Sequence, residues 1–336
     1  MVRVVPGESS PYFDFCVNEN GRLVRYGRVG SACGEQRPRV YSSDLISRKA
    51  VGFINRRAPR AQPFFLSVAY KAPHAGGPFD TSRCGSSAKP APRHRGAYAA
   101  AGLPRPPGFN DADVSDKPAT IERLSLFRNL QIDRIRTDYQ CRRESLLAVD
   151  EGVGAIVDAL RSRRELDNTL VIFTSDNGFF QGEHRLPAEK VRVYEPSVRV
   201  PALMRGPGVP RDKRVVELTG NIDLAATVAD AANAQPRRTL DGVSLLKLAR
   251  RPALFAGRHI VLENGPGLSS IPQYEAIRTD RYKYVEYDTG ERELYDLVSD
   301  PFEERSAHND PGYSGVQSHL ANELERLRRC SGITCR

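Results

Sequence analysis

The chain has 336 residues, 40% of them apolar, with no apolar run long enough to cross a bilayer. That excludes a membrane-embedded or disordered protein and leaves one large or two modest globular domains. The net charge of +9 is carried mostly by scattered arginines, with no basic run interleaved with aromatics. It reads as a solvated surface, so no nucleic-acid partner is expected.

Residues 1–40, rich in Gly, Pro and Asn, read as irregular, with one turn signal at Glu19-Asn20-Gly21. Met1-Val-Arg-Val-Val-Pro6 lacks the apolar stretch of a signal peptide. Ser42 or Ser43 is expected to cap a helix with Ile46, Ala50, Phe53 and Ile54 on one face, leading into a strand over Phe64–Ala69. The polar stretch from Gly76 to Pro118 reads as a long functional or disordered loop, in which Arg105 and Asp116 are anchors. Between Asp138 and Arg163, the residues Leu146, Val149, Val153, Ile156 and Leu160 make one helical stripe. A buried strand follows over Leu170–Ser175, and a short one over Pro201–Met204. Asp223–Ala232 reads as a helix capped by Asn221 or Asp223, and His259–Leu262 as a final parallel strand. Tyr274–Thr279, Tyr282–Tyr287 and Glu291–Tyr295 predict an antiparallel meander, and Val316–Leu327 a last helix.

The expected fold is therefore α/β: a mostly parallel sheet flanked by helices over residues 1–264, then a small antiparallel sheet plus helix over 265–336. Six cysteines (Cys16, Cys33, Cys84, Cys141, Cys330, Cys335) show no C-x-x-C pair and no zinc spacing. Disulfides are allowed but not needed at this length, and Cys330 and Cys335 are close enough in sequence to pair.

Chemistry concentrates where the strand Leu170–Ser175 runs out into Asp176-Asn177-Gly178. The carboxyl end of a strand is where open α/β sheets bind ligands, and Asp and Asn are oxygen donors of the kind a hard cation prefers. The same residues also make ordinary turns. His74, just beyond Lys71 at the end of the preceding strand, is either a structural histidine or one that titrates near neutrality for acid–base work. Lys190 by itself is one of 50 cationic residues and reads as surface charge.

Order and spacing sharpen these readings. Asp176-Asn177-Gly178, Gly182-Glu-His-Arg-Leu-Pro187, Lys190, Tyr194-Glu195 and Arg199-Val-Pro201 form one signature that resembles the sulfatase family, in the arylsulfatase-like and N-acetylglucosamine-6-sulfatase-like branch of the alkaline-phosphatase superfamily. The resemblance continues through Pro63-Phe-Phe-Leu-Ser-Val-Ala-Tyr-Lys-Ala-Pro-His74, Pro90-Ala-Pro-Arg-His94, Phe109–Pro118 and Glu144–Asp150, then through Arg205–Gly208, Asn221-Ile-Asp223, Asp241-Gly242, Arg278-Thr279, Tyr282-Lys-Tyr284 and Glu293-Leu-Tyr-Asp296.

The resemblance implies hydrolysis of a sulfate ester, with a sulfated small molecule or glycan as substrate. Asp176 and Asn177 would be half of a site for calcium, in preference to magnesium. His74 would protonate the leaving oxygen and Lys190 would contact the sulfate, while His184, Arg185, Lys71 and His94 would contact or orient the substrate. Many relatives act outside the cytoplasm, which makes a secreted or extracytoplasmic parent the expectation.

The same family needs a Cys or Ser within Cys/Ser-x-Pro/Ala-x-Arg, oxidised to formylglycine, whose hydrate attacks sulfur. No cysteine here stands in that motif: Cys33-Gly-Glu-Gln-Arg37 has the arginine, but Glu35 replaces the small residue. The family's paired Asp near the N-terminus and its Gly-Lys-x-x-x-Gly lysine motif are also missing, and Pro196 and Ala226 depart from its usual Glu and Pro. The chain is expected to begin past the first βα units of the family, with the nucleophile and half of the metal site upstream of Met1, and to be inactive alone. Alternative readings are a phosphodiesterase or phosphonate hydrolase of the same superfamily and a non-catalytic module that binds sulfated glycans.

Overall fold

Chain order and spatial order differ. The computed structural model describes residues 2–3, 12–28, 34–59, 62–76, 81–265 and 271–335. It divides into one unit built from residues 1–104 and 129–169 and a second built from 105–128 and 170–336. The boundary expected after residue 264 follows the chain, whereas these units interleave along it.

The first unit opens with a small sheet rather than irregular chain. β1 (Val2–Arg3) pairs antiparallel with β2 (Phe15–Glu19), β2 with β3 (Arg22–Tyr26), and β4 (Glu35–Arg37) lies parallel to β3. Asn20 and Gly21 both take positive φ, 55° and 92°, which a two-residue hairpin turn requires. The turn signal thus marked a hairpin, whose alternating Phe15, Val17, Val24 and Tyr26 pack with Leu45. Cys33, whose surroundings bear a partial nucleophile-like motif, lies outside the described residues.

α1 (Ser42–Arg57) begins after Tyr41, and no side chain caps it. Ser42 and Ser43 are buried within its first turn rather than serving as caps, and Ser43 presents its carbonyl to the Ser47 hydroxyl at 2.8 Å. α1 packs on α2 (Asn129–Ser162), which starts nine residues before the expected helix. Ala148 and Val149 of α2 meet Tyr12, Tyr41, Ala72, Ala88 and Ala91.

The polar face of α2 holds the preceding loop. A Cys84–Cys141 disulfide joins them, Arg83 pairs with the buried Glu144, and the Gln140 amide donates to the Ala99 and Ala101 carbonyls at 2.9 and 2.8 Å. The expected strand over 64–69 is not formed. Phe64, Leu66 and Val68 are half-buried while Phe65, Ser67 and Ala69 are exposed, so the period of a strand is present. No backbone ladder completes it among the described residues, and a strand exists only through its partner.

In the second unit β5 (Val171–Thr174) pairs antiparallel with β6 (Ala202–Arg205), Phe173 opposite Leu203. α3 (Asp223–Ala231) begins after Ile222 with no side-chain cap. The Asp223 carboxylate instead accepts the Gly220 and Val243 N–H groups and a two-pronged Arg258 guanidinium, both at 2.7 Å. Ser244 does cap α4 (Leu245–Arg250).

β7 (Ile260–Glu263) corrects the expectation of a final parallel strand. It pairs antiparallel with β8 (Tyr274–Arg278) and so opens the C-terminal sheet, ordered β10-β9-β8-β7 with β9 (Tyr282–Tyr287) and β10 (Arg292–Asp296). A short apolar run cannot reveal its partner, and here the partner is the next strand in sequence. Side chains alternate across this sheet. Ile277, Tyr284 and Leu294 face Leu320, Leu324 and Leu327 of α5 (Ser314–Arg328). Ala276, Val285 and Tyr295 face the opposite way, against Phe180, Leu186, Val193 and Tyr194. The 105–128 segment is anchored as expected: the Arg105 guanidinium stacks over Phe109, and Asp116 accepts from Lys117 and the Ser306 N–H. Among the described residues, no helix is long and apolar enough to cross a membrane.

Candidate functional site

β5 ends at Thr174, and Asp176 and Asn177 follow at its carboxyl end. The turn is held from several sides. Ser175 donates to the Asn177 carbonyl at 2.9 Å, Asn221 donates to the Asp176 carbonyl at 3.0 Å, and Gly178 and Phe179 donate to the Ser197 and Pro196 carbonyls at 2.7 and 2.6 Å. Glycine is required at 178 because a Cβ there would stand 2.1 Å from the Pro196 carbonyl oxygen. The Asp176 carboxylate is exposed, the Asn177 amide N–H donates to the Gly178 carbonyl at 2.7 Å, and Asn177 Oδ1 therefore turns toward Lys190 Nζ, 3.4 Å away. The structure thus brings together three of the expected residues, Asp176, Asn177 and Lys190.

The stretch that carries Lys190 is fastened to the C-terminal sheet. Tyr274 donates to the Val191 carbonyl at 2.6 Å, Lys283 to the Val193 carbonyl at 2.9 Å, and the Glu195 N–H to the Glu303 carboxylate at 2.6 Å. Lys283 is fully buried and lies 2.6 Å from Glu303 and 2.9 Å from Glu195. Burial acts to raise the Glu195 pKa, but Lys283 and Arg278 outweigh it and hold the carboxyl at about 2.

Behind this lies a second buried carboxylate of opposite character. Glu293 accepts hydroxyls from Tyr194, Tyr287 and Tyr295, the first at 2.8 Å. Burial pushes its carboxyl above the usual range, and the three hydroxyls offset that only in part.

His184 and Arg185 do different work from each other. Both take positive φ, 49° and 61°, in a turn whose Gly182 lies against Phe109. The His184 ring is 1% exposed, packs on Tyr194 at 4.6 Å and lies 3.5 Å from Asp111. Arg185 donates to three backbone carbonyls, Asp111, Ala112 and Leu124, at 2.7–2.9 Å, and so fastens the 105–128 segment.

His74, Lys71 and His94 belong to the first unit. His74 is exposed, its Nδ1 3.1 Å from Lys71 Nζ, and its carbonyl accepts the Tyr12 hydroxyl at 2.8 Å. His94 Nε2 lies 2.9 Å from Glu151, beside an Arg93 that bridges Asp44 and Glu151. Hydrogen bonding from Arg93 and then His94 keeps the Glu151 carboxyl below its usual range.

Sequence reasoning missed Asp111, Tyr274 and Lys283 as individual contributors to this arrangement. For Lys283 a signal existed: a lone Lys between aromatic residues on a meander strand faces the core and needs buried carboxylates. Among the described residues, the sole cluster of three potential metal ligands is Cys84, Cys141 and Glu144, whose two cysteines form a disulfide.

Known proteins resemble this chain in sequence and in fold. The profile of the Sulfatase family matches residues 10–234, and that of the N-sulphoglucosamine sulphohydrolase C-terminal region matches 182–330. An arylsulfatase of Volvox carteri is 32% identical over 340 residues, which cover 89% of this chain and 52% of that one. The human N-acetylglucosamine-6-sulfatase is 28% identical over 365 residues, 98% of this chain and 62% of that one. The chain therefore spans a little over half the length of these relatives.

Among solved structures, a protein in complex with its substrate D-glucosamine-2-N,6-O-disulfate superposes with a TM-score of 0.79 at 22% identity, over 98% of this chain and 75% of that one. A phosphonate monoester hydrolase of Agrobacterium radiobacter superposes with a TM-score of 0.60 at 23% identity, over 86% of this chain and 62% of that one. The solved structures establish the alkaline-phosphatase-like α/β fold with its antiparallel C-terminal sheet, and the matched profile with its curated relatives establishes descent: this chain belongs to the sulfatase family.

Proposed function

We propose that the chain supplies the leaving-group and part of the metal side of a sulfate-ester hydrolase whose substrate is a sulfated glycan. The observation that carries this is the juxtaposition of the exposed Asp176 carboxylate, the Asn177 amide oxygen and the Lys190 ammonium at the carboxyl end of β5. A fixed ammonium there stabilises negative charge that grows on sulfate and leaving oxygens as the S–O bond breaks. His74, exposed at the end of its segment, is the proton donor to the departing alcohol oxygen in this reading. His184 and Arg185 shape the site from behind: one ring is buried and one guanidinium is satisfied by carbonyls. His94 and Lys71 contact or orient the substrate in the same reading.

The donor chemistry fits calcium in part. Asp176 and Asn177 offer two oxygens of the six to eight such an ion takes, and both are hard donors. When bound, the cation would neutralise sulfate charge. This chain's own role is to present Asp176 outward and to hold the Asn177 amide with its oxygen facing the cationic side. Because no Cys/Ser-x-Pro/Ala-x-Arg motif is present to yield formylglycine, the chain alone is proposed to be inactive. Domain bounds at 1–264 and 265–336, and an extracytoplasmic site of action, belong to the same proposal. Strands β8 to β10 and α5 fall within the second of these bounds, and relatives called extracellular sulfatases in Caenorhabditis elegans and Drosophila melanogaster support the site of action.

The test is calorimetric titration of the purified chain with calcium, followed by assay with an aryl sulfate and a phosphonate monoester. Weak calcium binding lost in Asp176→Ala, with no turnover of either ester, is expected. Hydrolysis of the aryl sulfate that disappears in Asp176→Ala would overturn the inactive reading. Turnover of the phosphonate alone would overturn the sulfate assignment.

A further inference from the structure

Lys190 stands between two carbonyls that are both held. The Phe180 N–H donates to the Glu189 carbonyl at 2.9 Å, and the Tyr274 hydroxyl donates to the Val191 carbonyl at 2.6 Å. Between those two fastenings Val191 has φ +81°. A β-branched residue avoids that region, and such a conformation persists only where the surroundings over-determine it, most often at functional sites.

The surroundings do so here. Arg192 reaches back to Glu189 at 3.1 Å and across to Thr120 at 3.2 Å, while Val193, fully buried, gives its carbonyl to Lys283. The bond from Tyr274 is the one that grips the strained residue itself. Tyr274 is 5% exposed, and burial pushes its phenol upward, so it remains a donor across the physiological range.

We propose that Tyr274, on the C-terminal sheet, is the positioning residue for Lys190: its hydroxyl holds the Val191 carbonyl so that the strained backbone aims the ammonium at Asn177 Oδ1. The inference rests on the reading of Lys190 as the sulfate-contacting residue. It adds a task for the C-terminal sheet beyond covering the core: a single hydroxyl on β8 sets the direction of a cation next to β5.

The test reads the Lys190 amine directly. The full chain is labelled with acetic anhydride, and the rate at Lys190 is measured by mass spectrometry relative to the exposed Lys213 and Lys247. Tyr274→Phe should change the Lys190 rate roughly three- to tenfold, the span that follows from one net hydrogen bond. In a Val191→Gly background the same substitution should change it by less than about twofold, because glycine occupies positive φ without strain. Tyr284→Phe, which removes a hydroxyl of the same sheet bonded to Glu286, should leave Lys190 unchanged.

An unaltered rate in Tyr274→Phe, an equal response with Val191→Gly, or an equal response to Tyr284→Phe would each overturn the proposal. If Tyr274→Phe loses its cooperative melt, Val191→Gly alone decides. With the hydroxyl in place its Lys190 rate should stay within about twofold of the parent, and a larger change overturns the proposal. Inorganic sulfate is then added to the parent chain. Protection of Lys190 supports both readings, whereas no protection with the Tyr274 dependence intact rejects the sulfate contact and keeps the positioning role.

Discussion

The two halves of the signature differ in what surrounds them. Asp176 and Asn177 lie at an open strand end, with an exposed carboxylate and an amide oxygen whose nearest cation is 3.4 Å away. From Val191 to Glu195 the chain is buried or half-buried, and its carbonyls and N–H groups are taken by Tyr274, Lys283 and Glu303. One half leaves its donors available to a ligand; the other uses polar groups to hold the first in place. In the proposed reading the signature is thus chemistry at one end and architecture at the other, and substitutions in the two halves should fail differently.

The largest effect should come from the architectural half. Lys283→Met leaves the fully buried Glu303 without its cation and the half-buried Glu195 with Arg278 alone, and loss of one partner of a buried pair costs about 3–5 kcal/mol. Urea unfolding measures it, and a loss below about 1 kcal/mol would mean that water reaches the pair.

A smaller effect separates the Glu195 and Glu293 carboxylates by sign. Glu195 is held at about 2, below its usual 4.5, so its contribution is complete above pH 4.5 and is lost as pH falls toward 2. The stake is on the order of 2–3 kcal/mol. Glu293 is shifted upward, so its contribution is present below pH 4.5 and is lost as pH rises through its folded value. Unfolding free energies from pH 2 to 8 should therefore show a shallower acid limb in Glu195→Gln and less decline on the neutral side in Glu293→Gln. The same change of slope in both variants would reject the contrast.

The smallest effect should be at the chemical half. Asp176→Ala removes an exposed carboxylate and should alter stability by no more than about 0.5 kcal/mol while it removes calcium binding. A strongly destabilised Asp176→Ala would place this residue on the architectural side of the comparison.

Local pattern identified much of this. The meander strands were legible to within a residue because period-2 alternation and tight turns are properties of neighbours in sequence. The helices over 129–162 and 314–328 were found from their apolar stripes, though α2 begins nine residues early, where its exposed first turns carry no apolar period. Residues 64–69 show the limit: alternation is visible in the chain, but a strand is completed only by a partner's hydrogen bonds. The hairpin at β2–β3 was read only as a turn because its short strands are broken by charged residues on the open face.

By itself the sequence determined the family and set Asp176, Asn177 and Lys190 in one short signature, since residue type and spacing carry that information directly. Only the tertiary structure decided that Ile260–Glu263 joins the C-terminal sheet, that Arg185 is occupied by carbonyls, and that Tyr274 and Lys283 hold the stretch beside Lys190. The last two depend on contacts between residues about 60 to 90 positions apart, where many pairings have the same local pattern and packing selects one, whereas β7 finds its partner in the next strand, whose direction a short apolar run does not specify.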